Sequence, residues 1–327
     1  MSASPDQFPP VAKALRAAFG TDVLDAATPL SGGLSGAGLW RIRVGGIAYL
    51  LKVEPSERDG LRDPHRSYRC LDLASRACLA PRLRYADPDD GVMITDYVEA
   101  RDHLGPRGDL VVELGQAVRA LHAIEGFPPL VDYLDGLGAL IDRAARSGAV
   151  AAEALAGPLD AWARLHAVCA RLAPQPVSSH NDLNPRNLLY DGRRIWLIDW
   201  EAAFRADRYV DLSALANVYA ADPEGEALLL RTYFGREATA AERARLYLFR
   251  QVSHVFHAAI FTAGAAGQAR AETLDGPDLD VIHAGLARGE PWLDTAEGRL
   301  TYGLARWRAA MAGIAAPAFA EAARVAV

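Results

Sequence analysis

The sequence predicts an α+β protein of two lobes, a small strand-rich N-terminal lobe followed by a larger, mainly helical one. Three observations predict it. The length of 327 residues suits about two domains, or one domain of two lobes. Between positions 23 and 98, short runs of alternating apolar residues are punctuated by glycines, the pattern of hairpins. From Leu110 onward the apolar spacing turns helical, as in Leu110, Leu114, Val118, Leu121 and Ile124. The lobes are expected at residues 1–98 and 99–327.

The elements follow in order. The first 20 residues carry Pro9, Pro10 and scattered charges where a secretory signal would have a basic start and an apolar run, and they read as a short surface helix. Leu39 to Val44 and Ile47 to Val53 flank Gly45-Gly46. A two-residue turn there pairs Val44 with Ile47 and, counting outward, Leu39 with Lys52. Alternation then puts Ala48, Leu50 and Lys52 on one face and Ile47, Tyr49, Leu51 and Val53 on the other. After Pro64 a helical pattern through Tyr68, Leu71, Leu73 and Ala74 runs to Pro81, and strands are expected at Arg82 to Tyr85 and Val92 to Val98. The helical lobe is interrupted by a strand, loop and hairpin over 176–201. The longest stretch without Lys, Arg, Asp or Glu, 251–269, contains Ser253, His254, His257 and Thr262. It reads as a buried helix and not as a membrane span.

Composition narrows the class. Hydrophobic residues make up 51% and charged residues 23%, the balance of a soluble globular chain. A net charge of −6 argues against a dedicated nucleic-acid binder, whose footprint would be basic. Cys70, Cys78 and Cys169 are odd in number and lack metal-ligand spacing, which points to a reducing compartment and a cytoplasmic location. Of 35 Lys plus Arg, only Lys13 and Lys52 are lysine. A retained Lys in so Arg-rich a chain marks a position that suits a compact ammonium better than a planar fork.

Two segments carry chemistry. Ser31-Gly32-Gly33-Leu34-Ser35-Gly36-Ala37-Gly38 lets backbone N–H groups approach phosphate oxygens because glycine has no Cβ to block them. A strand follows it, so it is neither a Walker loop nor a dinucleotide fingerprint. The second segment, from Ser179 to Glu201, contains His180, Asp182, Asn187 and Asp199 around an Asp191-Gly192 turn. If the loop is 191–194, Tyr190 pairs with Ile195 and Asn187 falls opposite Ile198; a two-residue loop shifts this to Trp196. In either register Asn187 comes close to Asp199, and an amide oxygen beside a carboxylate suits Mg²⁺. Asp182, five residues before Asn187, is placed to receive a hydroxyl proton or to orient the hydroxyl. Asp191 reads as a turn residue, His180 as a loop brace and Asp211 as a helix cap or brace.

The spacing His180-x-Asp182-x-x-x-x-Asn187 followed by Asp199 resembles the aminoglycoside phosphotransferase and choline kinase superfamily, and Ile198-Asp199-Trp200-Glu201 with Asp211-Leu212-Ser213 is most similar to its bacterial choline kinase-like branch. The resemblance implies a protein kinase-like fold whose cleft binds ATP and Mg²⁺ and phosphorylates an alcohol hydroxyl. By it, Asp182 is the catalytic base and Asn187 and Asp199 hold Mg²⁺. Lys52 meets the α- and β-phosphates, Gly32, Gly33, Leu34 and Ser35 cover them, and Asp96, Tyr97 and Val98 offer backbone groups to adenine.

The sequence departs from the family in one respect. Members carry a Glu on the first-lobe helix that pairs with the strand Lys, but no Glu lies between Glu57 and Glu99. Asp72 or Asp63 is the expected substitute, and a nucleotide-binding pseudokinase module is the competing class. The aromatic and acidic run Trp200, Glu201, Phe204, Asp207, Tyr209, Asp211, Tyr219 and Asp222 suggests a small cationic acceptor, choline- or ethanolamine-like, with an aminoglycoside as the alternative. Trp200 and Glu201 are expected nearest the substrate.

Overall fold

The computed structural model describes residue 5 and residues 8–30, 36–55 and 63–326. The chain begins with α1 (Pro9–Phe19), β1 (Ala26–Pro29), β2 (Gly38–Val44), β3 (Ile47–Val53), α2 (Pro64–Arg76), β4 (Leu83–Asp87) and β5 (Val92–Asp96). It continues through α3 (Arg107–His122), α4 (Tyr133–Arg146), α5 (Ala152–Cys169), β6 (Pro176–Ser179), β7 (Leu188–Tyr190), β8 (Ile195–Leu197) and β9 (Phe204–Asp207). Helices α6 (Arg208–Tyr219), α7 (Pro223–Phe234), α8 (Ala240–Gly264), α9 (Leu279–Ala287), α10 (Ala296–Ala315) and α11 (Pro317–Val325) complete it. The fold is α+β, with an antiparallel sheet first and helices after.

These elements form two compact units: residues 1–129 with 177–205, and residues 130–176 with 206–327. The division expected at 98/99 separates the strand-rich lobe from all that follows it. By compactness, however, α3 and the segment 177–205 belong with the sheet. Backbone hydrogen bonds tie that segment to the first unit, Leu197 N–H donating to the Leu79 carbonyl at 2.8 Å and Arg101 N–H to the Tyr190 carbonyl at 2.7 Å.

In the first unit the sheet order is β1-β2-β3-β5-β4. The β2–β3 hairpin has the expected register, Val44 opposite Ile47 and Leu39 opposite Lys52. Gly45 and Gly46 have φ of 58° and 76°, the two positive values that a tight hairpin turn of matching twist requires. Alternation along β3 sends Tyr49 and Leu51 into a core with Trp40, Ile42, Val92 and Ile94. Helix α1 closes that core: Val11, Ala14 and Leu15 are buried against it, so the expected surface helix contributes one full apolar face.

The second unit is built on α8, whose length lets α4, α5, α6, α10 and α11 all pack against it. Its start is fixed by a capping box, Thr239 accepting from Glu242 N–H while the Glu242 carboxylate accepts from Thr239 N–H. The uncharged stretch from Gln251 forms its buried second half, as the sequence implied, and the helix ends at Gly264. Among the described residues no helix is long and apolar enough to cross a membrane.

Candidate active site

The site lies within the first unit, where β3 and the segment 180–201 bring their polar side chains together. The 180–187 loop starts from strain: Asn181 has a φ of 64°, and its amide nitrogen holds the Ala202 and Phe204 carbonyls at 3.0 and 3.3 Å. His180 is fully buried, with Nε2 at 2.9 Å from the Ile198 carbonyl oxygen and its ring against Trp200, centroids 4.6 Å apart. It braces the loop.

Asp182 and Asn187 are joined directly. The Asn187 amide nitrogen donates to the Asp182 backbone carbonyl at 2.9 Å and to Asp182 Oδ2 at 3.0 Å, while the Asn184 amide donates to Oδ1 at 3.0 Å. The Asn187 nitrogen is therefore committed, and its amide oxygen is the atom available to a cation. The hairpin sets where that cation would sit. Tyr190 pairs with Ile195 and Leu188 with Leu197, the longer-loop register of the two the sequence allowed, and Ile198 N–H donates to the Asn187 carbonyl at 3.0 Å. Asp191 is the turn residue, accepting from Arg193 N–H and Arg194 N–H at 2.8 and 2.9 Å.

Asp199 follows at once, in the left-handed region with φ 63°, a conformation costly for a residue with a Cβ and frequent at functional sites. Its carboxylate is 42% exposed but closely surrounded. Loss of hydration there raises its pKa above the ordinary carboxylate value; Lys52 opposes the rise, and the charges of Glu201 and Asp182 add to it.

Lys52 is 12% exposed and lies 3.0 Å from Glu54, 4.0 Å from Asp199 and in an ion pair with Glu201. Burial disfavours its charge, but Glu201, Asp199 and Glu54 outweigh that and hold its pKa above the ordinary value. The expectation that Asp72 or Asp63 pairs with it is wrong: Asp72 binds Arg76, and Asp63 caps α2. The partners were missed because they are not on the helix. Glu54 stands two residues beyond Lys52, and the period of a strand puts the two on one face. Helix α2 instead sends a buried arginine, Arg66, to donate to the Glu201 backbone carbonyl at 2.6 Å.

The substrate residues expected at 200 and 201 are placed differently. Trp200 is 4% exposed, packed between His180 and Phe127, and its indole N–H donates to the Leu197 carbonyl at 3.2 Å; Glu201 is engaged by Lys52. Tyr209 and Asp211 are fully buried, and Asp207 and Asp222 cap α6 and α7. Asp96 is bound by Arg84 at 2.6 Å, with Tyr97 and Val98 half-buried after it. Gly32, Gly33, Leu34 and Ser35 lie outside the described residues.

A five-stranded antiparallel sheet whose central strand carries a lysine paired with carboxylates that follow the 188–197 hairpin, ahead of a helical remainder, is the fold of a kinase-like phosphotransferase. The sequence pattern of the phosphotransferase enzyme family matches residues 26–249, and the chain belongs to that family. None of the curated proteins matches it by sequence. Among solved structures it is similar to a choline/ethanolamine kinase family protein from Mesorhizobium loti (22% identity, TM-score 0.64, 92% of each chain covered). It is similar also to the choline kinase LicA from Streptococcus pneumoniae (16%, 0.64, covering 93% of this chain and 96% of that one). A third likeness is to a streptomycin-ATP-APH(2")-IIa ternary complex (15%, 0.57, 80% and 91%). These likenesses show a shared kinase-like fold, and the structural neighbours include nucleotide-bound enzymes.

Proposed function

We propose that the protein transfers the γ-phosphoryl group of ATP to the hydroxyl of a small molecule, with Asp182 orienting that hydroxyl and taking its proton. The observation that carries this reading is the double hydrogen bond from the Asn187 amide nitrogen to Asp182. It orients the proposed base and leaves the Asn187 amide oxygen uncommitted, one residue across the hairpin from the Ile198-Asp199 step. Oxygen donors so few in number fit Mg²⁺, which keeps most of its coordination for phosphates and water. Asn187 and Asp199 would hold it, and when bound it supplies charge neutralisation across the phosphates. Lys52, its ammonium kept charged by Glu54 and Glu201, binds phosphate oxygens. The glycine-rich loop from Gly32 to Ser35 covers them, and the 96–98 backbone meets adenine. A cytoplasmic location, where ATP is supplied, accords with this reading.

The pseudokinase reading rested on the missing helix Glu, and the two carboxylates on Lys52 remove its motive. For the acceptor, likeness to choline and ethanolamine kinases supports an amino alcohol, with an aminoglycoside second. The run 200–222 lends this little support, since its side chains are occupied by packing, caps and Lys52. The test is a screen of purified protein with ATP, Mg²⁺ and amino alcohols, aminoglycosides, thiamine and sugars, followed by phosphorus NMR. Transfer to one class, abolished by Asp182→Asn, supports the proposal. ATP binding with no transfer to any hydroxyl overturns it.

A further inference from the structure

The second unit contains a buried positive charge that the phosphotransferase reading does not use. Arg306, on α10, is 1% exposed, and among the described residues no carboxylate lies within salt-bridge reach of it. Its contacts are all with neutral acceptors: one terminal nitrogen lies 3.1 Å from His254 Nδ1, and the other contacts the Tyr302 hydroxyl and lies 3.4 Å from His283 Nε2. Its Nε–H is buried and has no partner. An interior guanidinium ordinarily faces a carboxylate or phosphate, because neutral acceptors only partly repay the loss of hydration. The fork geometry of Arg suits a planar or tetrahedral oxyanion in particular.

The residues around the guanidinium fit the same ligand. His254 and His257 come from α8, His283 from α9 and Tyr302 from the preceding turn of α10. As whole residues the three histidines are half-buried around the covered Arg306. Helix α9, which lies over this side, is held mainly by a small separate apolar cluster around Ile282, Tyr302 and Ala305.

We propose that Arg306, with His254, His283 and Tyr302, forms a binding site for the carboxylate or phosphate oxyanion of a small molecule. The imidazoles are poised to answer such a ligand. Burial first, and the Arg306 charge second, hold His257 at a pKa of about 3 and His283 at about 4 and depress His254 well below its ordinary value. Asp280 opposes the depression at His283, and Arg250 adds to it at His254. An anion against Arg306 offsets the Arg306 contribution and raises the imidazole pKa values, so binding is expected to tighten as the pH falls toward the folded values of about 4 and 3. This inference stands apart from the phosphotransferase reading, because it is tested by binding without turnover.

The experiment titrates inorganic phosphate, and separately acetate, into the full chain by calorimetry at pH 5.5 and 7. Saturable binding with a Kd of about 1 mM or tighter, weakened about tenfold or more by Arg306→Met and retained by Lys52→Met, is the expected result. No saturable binding to the wild-type chain, or binding lost in Lys52→Met and kept in Arg306→Met, overturns the proposal. Should Arg306→Met fail to fold, the wild-type imidazole NMR signals decide: phosphate must raise the pKa of His254 or His283, and an unchanged titration overturns the site. Once an acceptor is identified, competition between it and phosphate assigns the oxyanion to the acceptor, and a non-competitive effect assigns it to a separate effector.

Discussion

The Asn187 amide nitrogen lies 3.0 Å from Asp182 Oδ2, and one hydrogen bond thereby couples the residue assigned to Mg²⁺ to the residue assigned to the acceptor hydroxyl. The amide can serve both only in one orientation, nitrogen toward Asp182 and oxygen toward the metal, so neither position tolerates a change of hydrogen-bonding type. Asn187→Asp is expected to place a carboxylate against Asp182 and to impair both metal use and turnover. Phosphoryl transfer measured across a Mg²⁺ titration checks this, and wild-type kinetics from that variant would remove the coupling.

Asp182 and Asp199 are expected to fail differently. Asp182→Asn should spare ATP binding and lower turnover by about two to four orders of magnitude, the range for a lost general base. Asp199→Asn should weaken productive MgATP binding. Calorimetric ATP affinity beside steady-state rates separates the two, and full activity of Asp182→Asn on the true acceptor would sink the assignment.

Lys52 should not be replaceable by arginine. It sits among Glu54, Asp199 and Glu201 at 12% exposure, a setting for a compact ammonium. Lys52→Arg is expected to lower kcat/KM for ATP about tenfold or more, because a planar fork does not fit a point-charge site. Glu201→Gln should raise KM for ATP while leaving the fold intact. Unaltered ATP kinetics in both variants would show that the ion pairs are structural only.

Acid should destabilise the protein in two windows. His254, His257 and His283 have depressed folded pKa values, so the unfolded chain binds more protons below its histidine pKa near 6.5. Stability then falls as the pH drops from about 6.5 toward the folded values of about 4 and 3. Glu242, held at about 2 chiefly by Arg236, adds stability that is present above the ordinary Glu value and is lost as the pH falls toward 2. Chemical denaturation between pH 7 and 3 should show the decline beginning well above the range in which Glu242 titrates, and a flat profile above pH 5 would contradict the histidine assignment.

Thr239→Ala should cost about 1 kcal/mol by removing the α8 cap. Because α8 organises the second unit, the loss is expected in the unfolding midpoint and not in ATP affinity. A variant as stable as the parent would mean that Glu242 and Arg236 hold the helix start without the threonine.

Thiol labelling of the native protein should modify Cys78 alone. Burial pushes Cys70 and Cys169 up to about 12, whereas Cys78 is exposed. Prompt labelling of more than one thiol per chain would contradict the buried placement of the other two.

Local pattern determined a good deal of this protein by itself. Gly45-Gly46 set the β2–β3 register and with it the place of Lys52; Asp191 closed the second hairpin; and the His180 to Asp199 spacing identified the phosphotransferase family. Each of these depends on neighbours in sequence or on one turn, where backbone geometry leaves few choices. Tertiary structure alone decided which charges meet. Lys52 finds Glu201 across 149 positions, and α2 offers the site Arg66 instead of a carboxylate. Trp200 turns inward although its neighbours read as a binding run, and Arg306 meets imidazoles from two other helices. Burial and charge pairing are properties of packed elements, and the same aromatic or acidic residue serves as core, cap or ligand according to what the fold brings against it.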